Sequence, residues 1–179
     1  MTKKEKKLPA FQRPKRWFPT KDYKKVKKLK VFGLTTSNGK QLQFVVPMKL
    51  DSAQWGVFVK KKVTPFLRKV FPLMGSYNLL LDGEPMLHAP EAKGAYREAG
   101  ITTLPGWPKY TPDLNPQENV WAQAEPKLRE LESGRDSFED WQKKVLKAIS
   151  QYPSPQKLIG SMAKRCQDCL ERKGAMLDC

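Results

Sequence analysis

Two carboxylates stand where this chain could do phosphoryl chemistry. Asp82 closes the apolar run "YNLLLD" (77–82), Glu118 follows Asn115 and Pro116 in "DLNPQEN" (113–119), and thirty-five residues separate the two acids. The run before Asp82 has the composition of a strand buried on both faces. Its acid would therefore emerge at the strand's carboxyl end, the edge where open α/β sheets build sites. Asn115, Pro116 and Glu118 carry the start signals of a helix: an N-cap side chain, a proline with no N–H to waste, and a carboxylate at N3. Acids delivered by a strand end and a helix start can converge on a divalent cation. Magnesium takes few carboxylates and shares its remaining oxygen ligands with a phosphate, and without a metal such a pair would repel. The pattern alone favours the plainer reading of Glu118 as a capping residue.

Other chemistries are poorly supplied. His88 is the one histidine, no Gly-x-Ser-x-Gly occurs, and no glycine-rich loop could cradle a phosphate. Cys166-x-x-Cys169, with Cys179 and His88, could in principle hold zinc. A structural zinc site usually pairs two such knuckles and only one is present, so an amphipathic helix bearing small apolar thiols is expected.

The elements that must position the acids can be read in order. Residues 29–47 predict a β-hairpin turning at Asn38-Gly39, where both residues tolerate positive φ. Residues 51–71 predict a helix capped by Asp51 or Ser52 and bent at Pro65. Residues 77–83 predict a buried central strand, 90–100 a helix closed by Gly100, and 101–106 a second short strand. Three helices follow: one from Pro116, bent or shortened by Pro126; one from Ser137; and one from Ser154-Pro155 to Gly174. That order suggests a mixed α/β fold, a central sheet covered by helices.

Length and charge bound the partners. The 179 residues fit one domain, and the net charge is +16 with a pI near 9.8. Residues 1–30 hold thirteen Lys or Arg against Glu5 and Asp22, so eleven of the sixteen net charges lie there. With Pro9, Pro14 and Pro19 among them, residues 1–28 read as a basic arm ahead of a domain spanning 29–179. Lys15, Arg16, Lys24, Lys25, Lys27 and Lys28 are the candidate nucleic-acid contacts; a solubilising tail is the alternative. "KKVKKLK" could also serve as a nuclear address. No apolar run spans a membrane and no secretory leader is evident. Three cysteines near the C-terminus argue against a secreted disulfide framework, so a nuclear or otherwise intracellular protein is expected.

"LLLDGEPMLHAP" followed by "GITTLPGWPKYTPDLNPQENVWA" resembles the catalytic core of mariner-superfamily transposases. Those proteins carry an Asp-Asn-Ala-Pro-x-His segment and then a Trp-Pro-x-Tyr-Ser-Pro-Asp-Leu-Asn-Pro-x-Glu-x-x-Trp segment. Asp82, Pro85 and His88 match the first. Trp107, Pro108, Tyr110, Pro112, Asp113, Leu114, Asn115, Pro116, Glu118 and Trp121 match the second, at the family's interval between its second and third acids. The resemblance covers roughly residues 10–175. It implies an RNase H-like fold and three acids holding two magnesium or manganese ions for DNA strand cleavage and transfer. Asp82 would be the second acid and Glu118 the third, each catalytic and metal-binding. Asp113 and Asn115 would shape the turn, and Trp121 would pack on the sheet. DNA is the implied partner, with room for a homodimer.

Three departures qualify that expectation. No acid matches the family's first position: Glu5 and Asp22 follow no apolar strand, and Asp51 falls at a helix start. The helix-turn-helix domains that read transposon ends are also missing, and Gly83-Glu84 replace the family's Asn-Ala. Glu84 is expected to face solvent rather than bind metal. The chain therefore reads as an RNase H-like domain lacking its first strand, truncated and inactive as a nuclease. An active metal-dependent DNA endonuclease, which needs a third acid not seen here, a nucleic-acid-binding remnant and a basic structural or ribosome-associated protein are the competing readings. Without a first strand, the hairpin would expose an unpaired sheet edge.

Overall fold

The computed structural model describes residues 28–105, 111–131, 136–153 and 155–177. Lys15, Arg16, Lys24, Lys25 and Lys27 of the basic arm, and Trp107, Pro108 and Tyr110 of the second motif, lie outside the described residues.

Strands β1 (Lys30–Thr35) and β2 (Gln41–Val46) form the expected antiparallel hairpin, with Phe32 opposite Phe44. The turn differs from expectation. Thr36 carbonyl accepts from Gly39 N–H at 2.8 Å, and of the residues in the turn only Gly39 has positive φ, at 78°. Asn38 instead uses its side chain, which accepts from the Thr36 hydroxyl at 2.7 Å. A side-chain hydrogen bond thus holds a wider turn that the Asn-Gly pair alone did not disclose.

Helix α1 (Ser52–Phe58) starts in a full capping box, in which Asp51 accepts from Gln54 N–H and Gln54 answers to the Asp51 backbone. One π-helical turn (Val59–Val63) links it to α2 (Thr64–Val70), where Thr64 N–H reaches back to the Val59 carbonyl. The wide turn lies immediately ahead of Pro65, whose ring and missing N–H a regular α-helix accommodates badly.

Strand β3 (Tyr77–Leu79) pairs in parallel with β4 (Ile101–Thr103), joined by α3 (Pro90–Glu98). Gly100, at φ 69°, closes α3 as expected. Among the described residues the strands form two separate two-stranded sheets, β1–β2 and β3–β4, where a single central sheet was expected.

Helix α4 (Pro116–Leu131) runs through Pro126 without ending there, and α5 (Phe138–Ser150) is capped by Ser137, which accepts from Asp140 N–H. The expected last helix is two, α6 (Pro155–Gly160) and α7 (Met162–Glu171), broken at Ser161.

Two hydrophobic clusters form around the hairpin. The larger gathers Trp55, Val59, Val63, Leu79, Tyr96 and Ile101, with Phe32 and Leu34 packed against it. The Phe32 and Trp55 rings lie 4.6 Å apart. The smaller joins Val120, Ala124 and Leu128 of α4 to Ala148 and Ile149 of α5, with Val31 and Trp121 against it. Successive β1 residues therefore face opposite cores, as the two-residue period of a strand requires. The hairpin is the partition between them.

Candidate active site

β3 ends at Leu79, short of the expected 77–83, so Asp82 lies three residues beyond the strand rather than at its end, and it is exposed as expected. Its Oδ1 accepts from Gly83 N–H at 2.6 Å, leaving Oδ2 for another ligand. His88 closes the short 3-10 turn Pro85–His88, and its Nε2 lies 2.8 Å from the Asp82 carbonyl oxygen. A carbonyl can only accept, so the hydrogen of that bond belongs to His88 Nε2. His88 thus ties the loop back onto the backbone of the acid.

Glu84 does not simply face solvent. It pairs with Lys30 at 2.5 Å, both groups partly buried, and so joins the start of β1 to the loop beyond β3.

Glu118 occupies the first turn of α4 and is exposed. Asn115 caps the helix, its Oδ1 accepting from Gln117 N–H at 3.0 Å and its carbonyl from Glu118 N–H at 3.1 Å. The reciprocal half of the expected capping box is absent, because Asn115 N–H is already given to the Pro112 carbonyl by the preceding 3-10 turn Pro112–Leu114. Glu118 is therefore not used as a cap. It lines a groove between α4 and α5 with Trp121 and Glu125.

Other motif residues hold the helix start in place. Asp113 is buried and accepts from Leu177 N–H at 3.0 Å, while its carbonyl accepts from Arg165. The same guanidinium reaches Asn119 Oδ1 at 3.2 Å, so Arg165 of α7 binds both sides of the 3-10 turn and α4 junction. Trp121 packs on the sheet at Gly33, where a Cβ would come within 2.8 Å of its ring. Arg165, Gly33 and Gln117 were not singled out by sequence, since their partners lie 46 or more residues away.

A cleft of about 530 Å³ lies between the two sheets. Leu80, two residues before Asp82, and Gln117, one before Glu118, both line it. The two acids thus follow closely on residues that share one cleft, although neither acid lines the cleft itself. Among the described residues no group of three or more His, Cys, Asp or Glu could hold a metal. Cys166 is exposed and Cys169 half-buried on α7, and Cys179 lies outside the described residues, so the zinc alternative gains no support. No helix among the described residues is long and apolar enough to cross a membrane.

The family described as DDE superfamily endonuclease matches residues 2–140. The Tcb2 transposase of a transposable element in Caenorhabditis briggsae is 28% identical over 99 residues, 52% of this chain and 34% of the relative. The chain thus spans about a third of that protein's length. Among solved structures, the Mos1 mariner paired-end complex with Mn aligns at TM-score 0.65 and 16% identity, covering 83% of this chain and 44% of that one. The Mos1 transposase catalytic domain with raltegravir and Mg aligns at TM-score 0.61 and 15% identity, covering 84% of each. The fold is the RNase H-like one of the mariner catalytic domain, as the motifs implied. This chain belongs to the DDE superfamily endonuclease family.

Proposed function

We propose that the chain is the DNA-handling domain of a transposase-type endonuclease, in which Asp82 and Glu118 bind one divalent cation at a DNA phosphate, and that these 179 residues bind DNA without cleaving it. The observation that carries this reading is the shared cleft: Leu80 and Gln117, just ahead of the two acids, line the same cavity. The donor set fits magnesium or manganese, which take one or two carboxylates and complete their shell with water and phosphate oxygens. A bound ion supplies Lewis-acid polarisation of the phosphodiester.

The protein's own residues do the rest. Gly83 N–H fixes one oxygen of Asp82 and leaves the other for the cation. His88 holds the loop behind it. Asn115 starts α4 so that Glu118 enters from its first turn, in the positive end of the helix dipole. Two carboxylates do not suffice for the bridged pair of ions that strand cleavage uses in two-metal sites. Basic residues of the arm and of the folded part supply phosphate contacts.

The test is nicking of supercoiled DNA with magnesium or manganese, beside Asp82→Asn and Glu118→Gln, with manganese binding followed in parallel. We expect manganese binding that either substitution weakens about ten-fold or more, since losing even an outer partner of a ligand costs about that much, and no nicking above the variants. Nicking by the chain that both substitutions abolish would instead establish an active nuclease.

A further inference from the structure

The first turn of α4 is held by contacts from far along the chain. Arg165 of α7 donates from Nη1 to the Asp113 carbonyl at 3.0 Å and from Nη2 to Asn119 Oδ1 at 3.2 Å. Its two acceptors lie on either side of residues 115–118, the stretch that runs from the helix cap to Glu118. One planar guanidinium therefore spans the 3-10 turn and the helix start together. Buried Asp113 is tied a second time, by the Leu177 N–H on its Oδ2 at 3.0 Å.

Another tie acts on the opposite flank of the helix. The Thr35 hydroxyl donates to Gln117 Oε1 at 3.1 Å, which fixes that residue to β1. Successive residues of an α-helix are about 100° apart around its axis, so Gln117 and Asn119 flank Glu118 by about that angle on each side. Thr35 holds one flank and Arg165 the other. Together they fix the rotation of α4 about its own axis at the turn that carries Glu118.

Rotation matters because of its leverage. A side-chain carboxylate rides about 5–6 Å from the helix axis, so a turn of about 20° carries it sideways by roughly 2 Å. Magnesium demands near-ideal octahedral geometry with ligands at about 2.0–2.1 Å, and its ligands must be held to within about 0.5 Å. Asn115 cannot supply that hold. Its cap bonds run to Gln117 and Glu118 of the same turn, and they rotate with the helix.

The residue type fits this task. Arg165 has no carboxylate partner among the described residues, and both of its acceptors are neutral oxygens. A lysine would keep the charge but lose the rigid fork that reaches both oxygens at once. A guanidinium bonded to the residue next to Glu118 repels a cation by charge alone. It can therefore favour cation binding only through geometry.

We propose that Arg165 is a positioning residue for the cation site: by fixing the rotation of α4 it holds Glu118 where a small octahedral cation needs it, and so selects magnesium over calcium. This rests on the reading of Glu118 as a cation ligand. Calcium takes about six to eight oxygens at about 2.3–2.6 Å in flexible geometry, so it tolerates a displaced carboxylate that magnesium does not.

The test follows manganese binding to the full chain by electron paramagnetic resonance, with magnesium and calcium as competitors, well below every variant's melting midpoint. Arg165→Lys should weaken manganese and magnesium binding about ten-fold or more, the usual cost of losing an outer partner of a ligand. Calcium binding should change by less than about two-fold. In the cation-free protein the same variant should speed amide exchange at Glu118 and Asn119 about ten-fold, with Ala148 and Ile149 unchanged. Asn119→Ala should also lower manganese affinity, and adding it to R165K should cost little more, because both remove the same bond. Equal weakening of magnesium and calcium would make Arg165 a general stabiliser, and unchanged or tighter manganese binding would leave it no positioning role; either result overturns the proposal. Glu118→Gln separates the two levels. If it leaves manganese binding unchanged, the ligand reading falls and the proposal with it, whereas a loss in E118Q without one in R165K removes the positioning role alone.

Discussion

A side chain at Gly33 would meet the Gln117 amide at 2.5 Å and the Trp121 ring at 2.8 Å. The amide can swing aside, but the half-buried Trp121 ring packed against the smaller core must also give, so Gly33→Val should cost about 1–3 kcal/mol in urea unfolding. Tyr96 offers a second test. Its hydroxyl accepts from Trp55 Nε1–H at 2.6 Å in the larger core, and burial pushes its pKa up to about 12 although the Trp55 bond opposes that rise. A pKa raised in the folded state gives stability that is complete below the unfolded value near 10 and is lost as pH climbs toward 12. Melting midpoints should therefore fall over pH 10–12, and Tyr96→Phe should flatten the tyrosine part of that fall. At neutral pH the same variant should be less stable by about 1–3 kcal/mol, because the buried indole N–H loses its acceptor. Asn115 was legible as a helix cap from the proline that follows it. Gly33 and Gln117 were not, because neither residue type announces a partner across 84 positions of chain.

At the scale of elements, local chemistry was readable wherever a cap or turn residue acts on its immediate neighbours. Asp51, Ser137, Gly100 and Asn115 each do what their types predict. Replacing Asn115 by Ala should cost about 0.5–2 kcal/mol and loosen the first turn of α4, which thermal unfolding and amide exchange at Gln117 would report. Pro126 shows where local rules yield. The helix continues to Leu131 because Val120, Ala124 and Leu128 are buried against α5, and that packing outweighs one missing hydrogen bond. Pro126→Ala should accordingly stabilise the chain, by up to about 3 kcal/mol in denaturant unfolding. A disturbance of the helix at Pro65 was legible, but that it takes the form of a π-helical turn at Val59–Val63 was not, since α1 and α2 must both reach one core.

For the molecule as a whole, charge and fold are unevenly distributed. Eleven of sixteen net charges precede residue 31, whereas the two acids sit in the folded part. If DNA is held by phosphate contacts, log affinity should fall linearly with log salt, by about 0.9 for each contact. Removing residues 1–27 should make that slope shallower in filter-binding or fluorescence titrations. An unchanged slope would move the contacts to the folded part and leave the arm a solubility tail.

The sequence by itself determined the family and the order of hairpin, strands and helices. Those features depend on residue types at short range or on a motif with many matched positions. Only the tertiary structure decided that the strands form two sheets with a cleft between them, that Glu84 pairs with Lys30, and that Glu118 is not held as a cap. The first two are settled by contacts far apart in the chain, fixed by shape and burial rather than by neighbouring residues, and the third by the 3-10 turn Pro112–Leu114, whose formation the residue types did not announce.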